Sequence, residues 1–122
     1  MDEHESVRLT YHIGIPEPAQ YFEEAVIKEA CRLAGGCTVS RDIGYWIAGA
    51  EEAKYRYSGP LGEEMALTIV ITVPDHAALR TADCMQSCIC QEARSKDIYS
   101  DWVHVEWERV STRHFSILKE RP

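Results

Sequence analysis

The sequence is poor in basic residues and lacks the signatures of export, membrane insertion and nucleic-acid binding. In its 122 residues, 13 Lys and Arg stand against 20 Asp and Glu, which gives a net charge of −7. Such a surface repels phosphate backbones, so we expect no nucleic-acid polymer as a partner. The start of the chain has neither the basic nor the apolar segment of a signal peptide, and no run approaches the roughly 18 apolar residues of a membrane span. We therefore predict a cytoplasmic protein without a membrane partner.

Disulfide frameworks and common catalytic motifs are missing as well. The chain has five cysteines, an odd number in a sequence without an export signal, which predicts free thiols. It contains no Gly-rich phosphate loop, no Ser-centred nucleophile elbow and no His-Glu-x-x-His pair. Without such a motif the sequence supports no particular reaction, and we expect no cofactor.

The tightest cluster of reactive side chains is Cys84-x-x-x-Cys88-x-Cys90. Residues four apart share a helix face, so Cys84 and Cys88 would be able to present two thiolates to a zinc ion. Cys90 lies about 200° around the helix from Cys88, and the Cys-x-x-Cys spacing common in zinc sites is absent. Cysteine also packs well as a small apolar residue. We therefore interpret these cysteines, and Cys37, as packing residues and predict no metal.

Hydrophobic periodicity predicts a strand, a helix and a second strand in the first part of the chain. Residues 7–13 alternate between apolar and polar side chains, as in a half-buried strand. In residues 19–34 apolar side chains recur every three or four positions, which predicts an amphipathic helix ended by a Gly-Gly pair. Residues 37–47 are rich in β-branched and aromatic side chains and predict a strand with a bulge or bend at Gly44.

The rest of the chain predicts a central strand, a second helix and a last strand. The apolar run of residues 65–73 is typical of a strand buried in the middle of a sheet. Residues 76–93 carry an apolar stripe at helical spacing, and Asp75 precedes them as the expected N-cap. Residues 102–110 alternate again and predict the last main strand.

The element order is therefore β-α-β-β-α-β. Because each helix crosses between strands, the simplest packing is an α+β, ferredoxin-like fold, with a four-stranded antiparallel sheet in the order 4-1-3-2 and two helices on one face. We assign residues 1–6 to an acidic tail, residues 7–118 to a single domain and residues 119–122 to a second tail. Within the domain, residues 55–57 are predicted to extend a hairpin and residues 115–118 to add a short strand.

The pattern of the chain resembles a group of known proteins. A strand and a helix, a Gly-Cys-Thr-Val entry to the second strand, the Gly44-Tyr45-Trp46 step and an apolar third strand are similar to small uncharacterised ferredoxin-like proteins, several of them from phages and mobile elements. The chain also loosely resembles the PII and ACT regulatory folds. The likeness covers roughly residues 7–110, and it transfers no functional residue, because the nucleotide-binding motifs of PII proteins are not visible here.

Two histidines on neighbouring predicted strands form the main candidate ligand site. His12 and His104 belong to the first and fourth strands, on the face away from the helices, and Arg8 and Glu106 share that face. An imidazole close to a carboxylate can transfer protons near neutral pH or hold a polar ligand. A solvated or dimer-buried sheet surface is the alternative interpretation of the same residues.

Aromatic side chains mark a second candidate surface, around the connection between the second and third strands. Tyr45, Trp46 and Tyr57 would stack there on a ligand or a partner, unless they are cross-strand pairs that hold a β-ribbon together. Val70 and Trp102 are predicted to lie on the free sheet face without partners inside the monomer. We therefore expect them in the interface of a homo-oligomer.

These observations rank three functions. The first is a non-catalytic oligomeric protein that binds a small ligand, for example a nucleotide signal, or a protein partner. The resemblance suggests one role of this kind, a virus- or mobile-element-encoded inhibitor of a host defence system. The alternative is a small dimeric ferredoxin-like enzyme, of monooxygenase or isomerase type, with His12 or His104 as acid or base. The third is a redox or metal module built on Cys84 and Cys88.

Overall fold

The computed structural model describes residues 3–15, 19–47, 55–98 and 103–117. These segments contain four strands, two α-helices and one short 3-10 helix. In chain order they are β1 (Glu3–Ile15), α1 (Gln20–Ala34), β2 (Thr38–Ile47), β3 (Leu61–Pro74), the 3-10 helix (Asp75–Ala77), α2 (Ala78–Ser95) and β4 (Val103–Arg113).

The four strands form one antiparallel sheet in the order β2-β3-β1-β4. Read from its other edge, the same sheet runs 4-1-3-2. Each α-helix connects two strands, as the apolar periodicity predicts: α1 lies between β1 and β2, and α2 lies between β3 and β4. The fold is therefore α+β and ferredoxin-like. β1 lies in the middle and pairs with both β3 and β4, so residues from the first, third and last strands are brought side by side.

One hydrophobic core joins a single face of the sheet to both helices. Side chains alternate between the two faces of a strand, and the large apolar residues at odd-numbered positions 7–15 of β1 and 67–73 of β3 are buried. The buried core consists of Val7, Leu9, Tyr11, Ile13 and Ile15 of β1, Leu67, Ile69, Ile71 and Val73 of β3, Phe22, Val26 and Ala30 of α1, and Ala78, Met85 and Ile89 of α2. The even-numbered residues of β1 therefore lie on the opposite face.

The predicted end of the first helix is confirmed. Gly35 follows α1 with a φ of 81°, in the left-handed region that glycine adopts without a steric penalty. Its backbone N–H donates to the carbonyl oxygen of Cys31 at 2.8 Å, which satisfies one carbonyl of the last turn. The chain reverses direction at this helix end, and β2 begins at Thr38.

The strands differ from the predictions mainly in length. β1 begins at Glu3 and not at Val7, because its first residues pair with the end of β4. β3 begins at Leu61, four residues before the predicted start, since the pairing with β2 continues to that point. The predicted bulge at Gly44 is wrong, because Gly44 pairs with Glu64 in an unbroken register. The glycine that the sheet requires is Gly62, where a Cβ atom would lie 2.6 Å from the ring of Trp46.

Three smaller predictions also fail. The predicted hairpin extension is absent, because residues 55–57 precede β3 and belong to no strand. The predicted short strand is absent from residues 115–117, and Leu118 lies outside the described residues. Asp75 does not cap α2: it belongs to the 3-10 helix and forms an ion pair with Arg109 instead. Among the described residues, no helix is long and apolar enough to cross a membrane.

Candidate functional site

The sheet register brings the predicted polar residues of β1 and β4 together. His12 pairs directly with His104, which confirms that the two histidines are neighbours on adjacent strands. Thr10 pairs with Glu106, and two residues further along Arg8 is opposite Glu108. Directly paired residues present their side chains on the same face of a sheet. We call the surface formed by Arg8, His12, His104, Glu106 and Glu108 the histidine face.

A single carboxylate bridges the two imidazoles. The Oε1 atom of Glu106 lies 3.5 Å from Nε2 of His12, and its Oε2 atom lies 3.4 Å from Nε2 of His104. The two rings are stacked, with centroids 5.9 Å apart and planes inclined by 30°. His12 is held from its other side, where Nδ1 lies 3.2 Å from the hydroxyl of Thr68 on β3. The carboxylate thus lies within ion-pair distance of both rings and can stabilise either one when that ring is protonated.

The two histidines differ in their exposure to solvent. The side chain of His12 is 33% exposed, because β1 has a neighbouring strand on each side. The side chain of His104 is 61% exposed, because β4 is the edge strand. His104 therefore offers an open ring surface to a ligand, whereas His12 is the more firmly positioned of the two.

A shallow cavity lies beside this cluster. It has a volume of about 270 Å³ and is lined by Arg8, Thr10, Glu106, Trp107 and Glu108. Nη1 of Arg8 donates to Oε1 of Glu108 at 2.7 Å, so the guanidinium is fixed along one side. The cavity thus has hydrogen-bonding groups along two strands and room for a small molecule.

The formal charges of the histidine face sum to a negative value when the imidazoles are neutral. Arg8 contributes one positive charge, and Glu106 and Glu108 contribute one negative charge each. Because Arg8 is already paired with Glu108, it leaves little positive potential for a phosphate. The electrostatics therefore favour neutral or cationic ligands over polyanions.

The structure does not bring the predicted aromatic residues to this site. Trp46 shares the face of His12, but it is on the other edge strand, β2. Ser40 of β2 pairs with Thr68, which pairs in turn with His12. Trp46 is six residues along β2 from Ser40, and six residues of strand span roughly 20 Å. Tyr45 is adjacent in sequence, so it points to the opposite face and is exposed. Tyr57 lies before β3, outside the sheet.

The structure describes one of the two predicted interface residues, Val70. Val70 of β3 is in register with Thr10 and Thr38, on the same side of the sheet as the histidines, and is half-buried. Trp102 lies outside the described residues. Thr68 also belongs to the site, although no sequence pattern indicates it. Only the register between β1 and β3 shows that its hydroxyl reaches His12.

The cysteines of α2 lie away from the histidine face, on the helical side of the protein. Cys84 and Cys88 line a cavity between the two helices, and Arg32 lies on its α1 side. Burial raises the pKa of the Cys88 thiol, so the thiol form is favoured over the nucleophilic thiolate. In the described part of the chain, no group of three or more His, Cys, Asp or Glu residues is placed to hold a metal ion.

Comparison with known proteins gives matches of structure only. No protein-family model matches the chain, and no curated protein matches it. A Bacillus cereus protein related to NIF3 matches with a TM-score of 0.59 at 11% identity, over 90% of this chain and 27% of that one. This chain therefore spans about a quarter of that protein.

Three further matches cover about nine-tenths or more of both chains. A phage SAM lyase in complex with S-methyl-5'-thioadenosine matches with a TM-score of 0.53 at 13% identity, over 89% of this chain and 90% of that one. CutA from Synechococcus elongatus, complexed with Bis-Tris, also gives 0.53, at 12% identity over 97% and 90% of the two chains. A putative PII-like signalling protein from Thermus thermophilus, at 0.48 and 19% identity over 92% and 93%, is matched as well. At these identities the matches with TM-scores above 0.5 support the fold of this chain and nothing beyond the fold.

Proposed function

We propose that this chain is a non-catalytic binding protein that holds a small polar ligand at its histidine face. The observation that carries the proposal is the bridge from Glu106 to His12 and His104 beside a cavity of about 270 Å³. The bridge fixes two imidazoles and a carboxylate in one place without using all their hydrogen-bonding capacity. Such a group can both donate to and accept from a polar ligand.

The ligand class that fits best is a neutral or cationic compound with a planar ring, such as a nucleoside. The exposed ring of His104 offers a stacking surface, and the carboxylates of the face disfavour a polyphosphate. The phage structure with the same fold contains S-methyl-5'-thioadenosine, an uncharged nucleoside, which supports the choice of this class as a first probe. A nucleotide signal would have to bind through its base and sugar, with its phosphates directed into solvent.

The test is calorimetric titration of the purified protein with S-methyl-5'-thioadenosine, S-adenosylmethionine and AMP. We expect the first two to bind and AMP to bind more weakly. His104→Ala, which removes the stacking ring, and Glu106→Gln should each weaken binding by about tenfold, equivalent to about 1.4 kcal/mol. His114→Ala is the matched control, because His114 is exposed and follows β4 outside the histidine face. Unchanged affinity in both site variants would contradict the proposal.

Self-association through the same side of the sheet is a further part of the proposal. Val70 lies in the middle of the sheet among threonines of the neighbouring strands, and an isologous contact would cover it. The ligand would then lie at a subunit boundary. Sedimentation of Val70→Arg tests this arrangement: we expect a smaller species than the native protein, and an unchanged oligomer would place the interface elsewhere.

An enzyme is the second candidate, and one observation favours it. A carboxylate between two imidazoles can orient either ring as a general base and stabilise the imidazolium that forms when that ring takes a proton from a bound substrate. The matched phage protein is itself named a lyase. Incubation with excess S-adenosylmethionine, followed by mass spectrometry, separates the two functions. Turnover that is lost in Glu106→Gln would favour the enzyme, whereas binding without turnover would favour the binding protein.

The biological role stays a prediction. A ligand-sequestering protein encoded by a virus or mobile element would inhibit a host defence system that depends on the bound molecule. The phage origin of one matched structure supports this role, as does the proposed capacity to hold a nucleoside-like compound. Expression of the protein in a defended host, with His104→Ala as the control, would test it, since the variant should lose protection of the phage.

A further inference from the structure

Two cysteines meet where the first helix turns into the second strand. Cys31 is in the last turn of α1, and Cys37 immediately precedes β2. Their sulfur atoms are 3.6 Å apart. The left-handed Gly35 reverses the chain between them and brings the two side chains to the same side of the turn.

The two thiols have different environments. Cys31 is exposed to solvent, whereas Cys37 is half-buried and packs against the edge of the core. Burial, together with the neighbouring thiol of Cys31, raises the pKa of Cys37 to about 11. Cys31 is therefore the thiol that an oxidant reaches, and Cys37 is the neighbour that can react with the product.

We propose that Cys31 and Cys37 are a site of reversible intramolecular disulfide formation, with hydroperoxides as the oxidant. The Cys31 thiolate attacks the peroxide, so that an S–O bond forms, the O–O bond breaks and hydroxide leaves as water. Cys37 then attacks the sulfenic sulfur of Cys31. The S–S bond forms, the S–O bond breaks, and the proton of Cys37 joins the leaving hydroxide as a second water.

The balance of this reaction is complete. The two thiols lose two electrons and two protons, and hydrogen peroxide is reduced to two molecules of water. For the bond to form, the sulfurs must approach by roughly 1.5 Å, to a bond length of about 2.05 Å. A small dithiol reductant reverses the reaction by thiol–disulfide exchange.

The disulfide can be detected directly with trypsin. Trypsin cleaves after Lys28, Arg32 and Arg41, so Cys31 lies in the peptide of residues 29–32 and Cys37 in that of residues 33–41. After treatment of the folded protein with hydrogen peroxide, we expect these two peptides to appear as one cross-linked species. Treatment with a dithiol should separate them again.

Two variants complete the test. Cys31→Ser should abolish the cross-linked species, and Cys90→Ser should leave it unchanged, because Cys90 is an exposed cysteine on α2. Should Cys31→Ser fail to fold, Cys37→Ser gives the same readout. Peroxide treatment that leaves the two peptides separate would overturn the proposal, as would irreversible oxidation of Cys31 without cross-linking. Neither outcome depends on ligand binding at the histidine face.

Discussion

The side chain of Tyr11 gives the sharpest stability prediction. Tyr11 is in the middle of β1 and is only 1% exposed, yet its hydroxyl has no hydrogen-bond partner among the described residues. A buried polar group without a partner costs about 1–3 kcal/mol of desolvation. Tyr11→Phe removes that group and keeps the ring, so we expect the variant to be more stable near neutral pH by about 1 kcal/mol.

The same side chain makes the stability of the native protein fall at alkaline pH. Burial raises the pKa of Tyr11 from 10.0 to about 12. Above pH 10 the unfolded chain loses this proton while the folded chain keeps it, so stability is lost as the pH rises and the loss levels off above the folded-state pKa. The corresponding loss of stability is on the order of 2–3 kcal/mol at most.

Urea denaturation of the two proteins at neutral and alkaline pH measures both effects. The advantage of Tyr11→Phe over the native protein should grow as the pH is raised above 10. Ultraviolet titration of tyrosinate should show one tyrosine fewer with a high pKa in the variant. If Tyr11→Phe is less stable than the native protein at neutral pH, the hydroxyl has a partner and the reasoning is wrong.

Two further stability predictions follow from side-chain contacts elsewhere in the protein. Gly62→Ala should destabilise the fold by about 1–2 kcal/mol, because the new Cβ would lie 2.6 Å from the Trp46 ring, and Trp46→Ala in the same chain should recover part of the loss in urea denaturation. Arg41→Met should cost about 2 kcal/mol, because it leaves the buried carboxylate of Glu23 without the guanidinium that now donates to it at 2.8 Å. Arg80→Met, at an exposed position of α2, is the control and should change thermal or urea stability little.

Much of the fold could be predicted from the sequence because its elements have clear periodicity. The alternation in β1 and the apolar run in β3 predict strands, and the helical spacing of α1 and α2 predicts helices, all of which the structure contains. The pairing of His12 with His104 also follows, since the predicted topology places the first and last strands side by side. The local sequence pattern therefore predicts the order of the strands and helices, and the topology inferred from it predicts the His12–His104 pair.

The remaining details depend on contacts between segments far apart in the chain. The register that brings Thr68 to His12 is a property of the whole pairing between β1 and β3, and no local pattern encodes it. The separation of Tyr45 from Trp46 could have been predicted, because adjacent residues of a strand point to opposite faces. The distance from Trp46 to His104 also follows from the predicted order 4-1-3-2, which places the second and fourth strands at opposite edges of the sheet.

The most direct test of ligand binding at the histidine face is NMR of the histidine imidazoles during titration with S-methyl-5'-thioadenosine. The chain has five histidines, which include His12 and His104 on the histidine face and the exposed His76 and His114 outside it. We expect the proton and nitrogen resonances of His12 and His104 to shift together as the nucleoside is added, while those of His76 and His114 stay in place. Saturable binding that leaves the His12 and His104 resonances unchanged, or no binding of the nucleoside at all, would contradict this expectation.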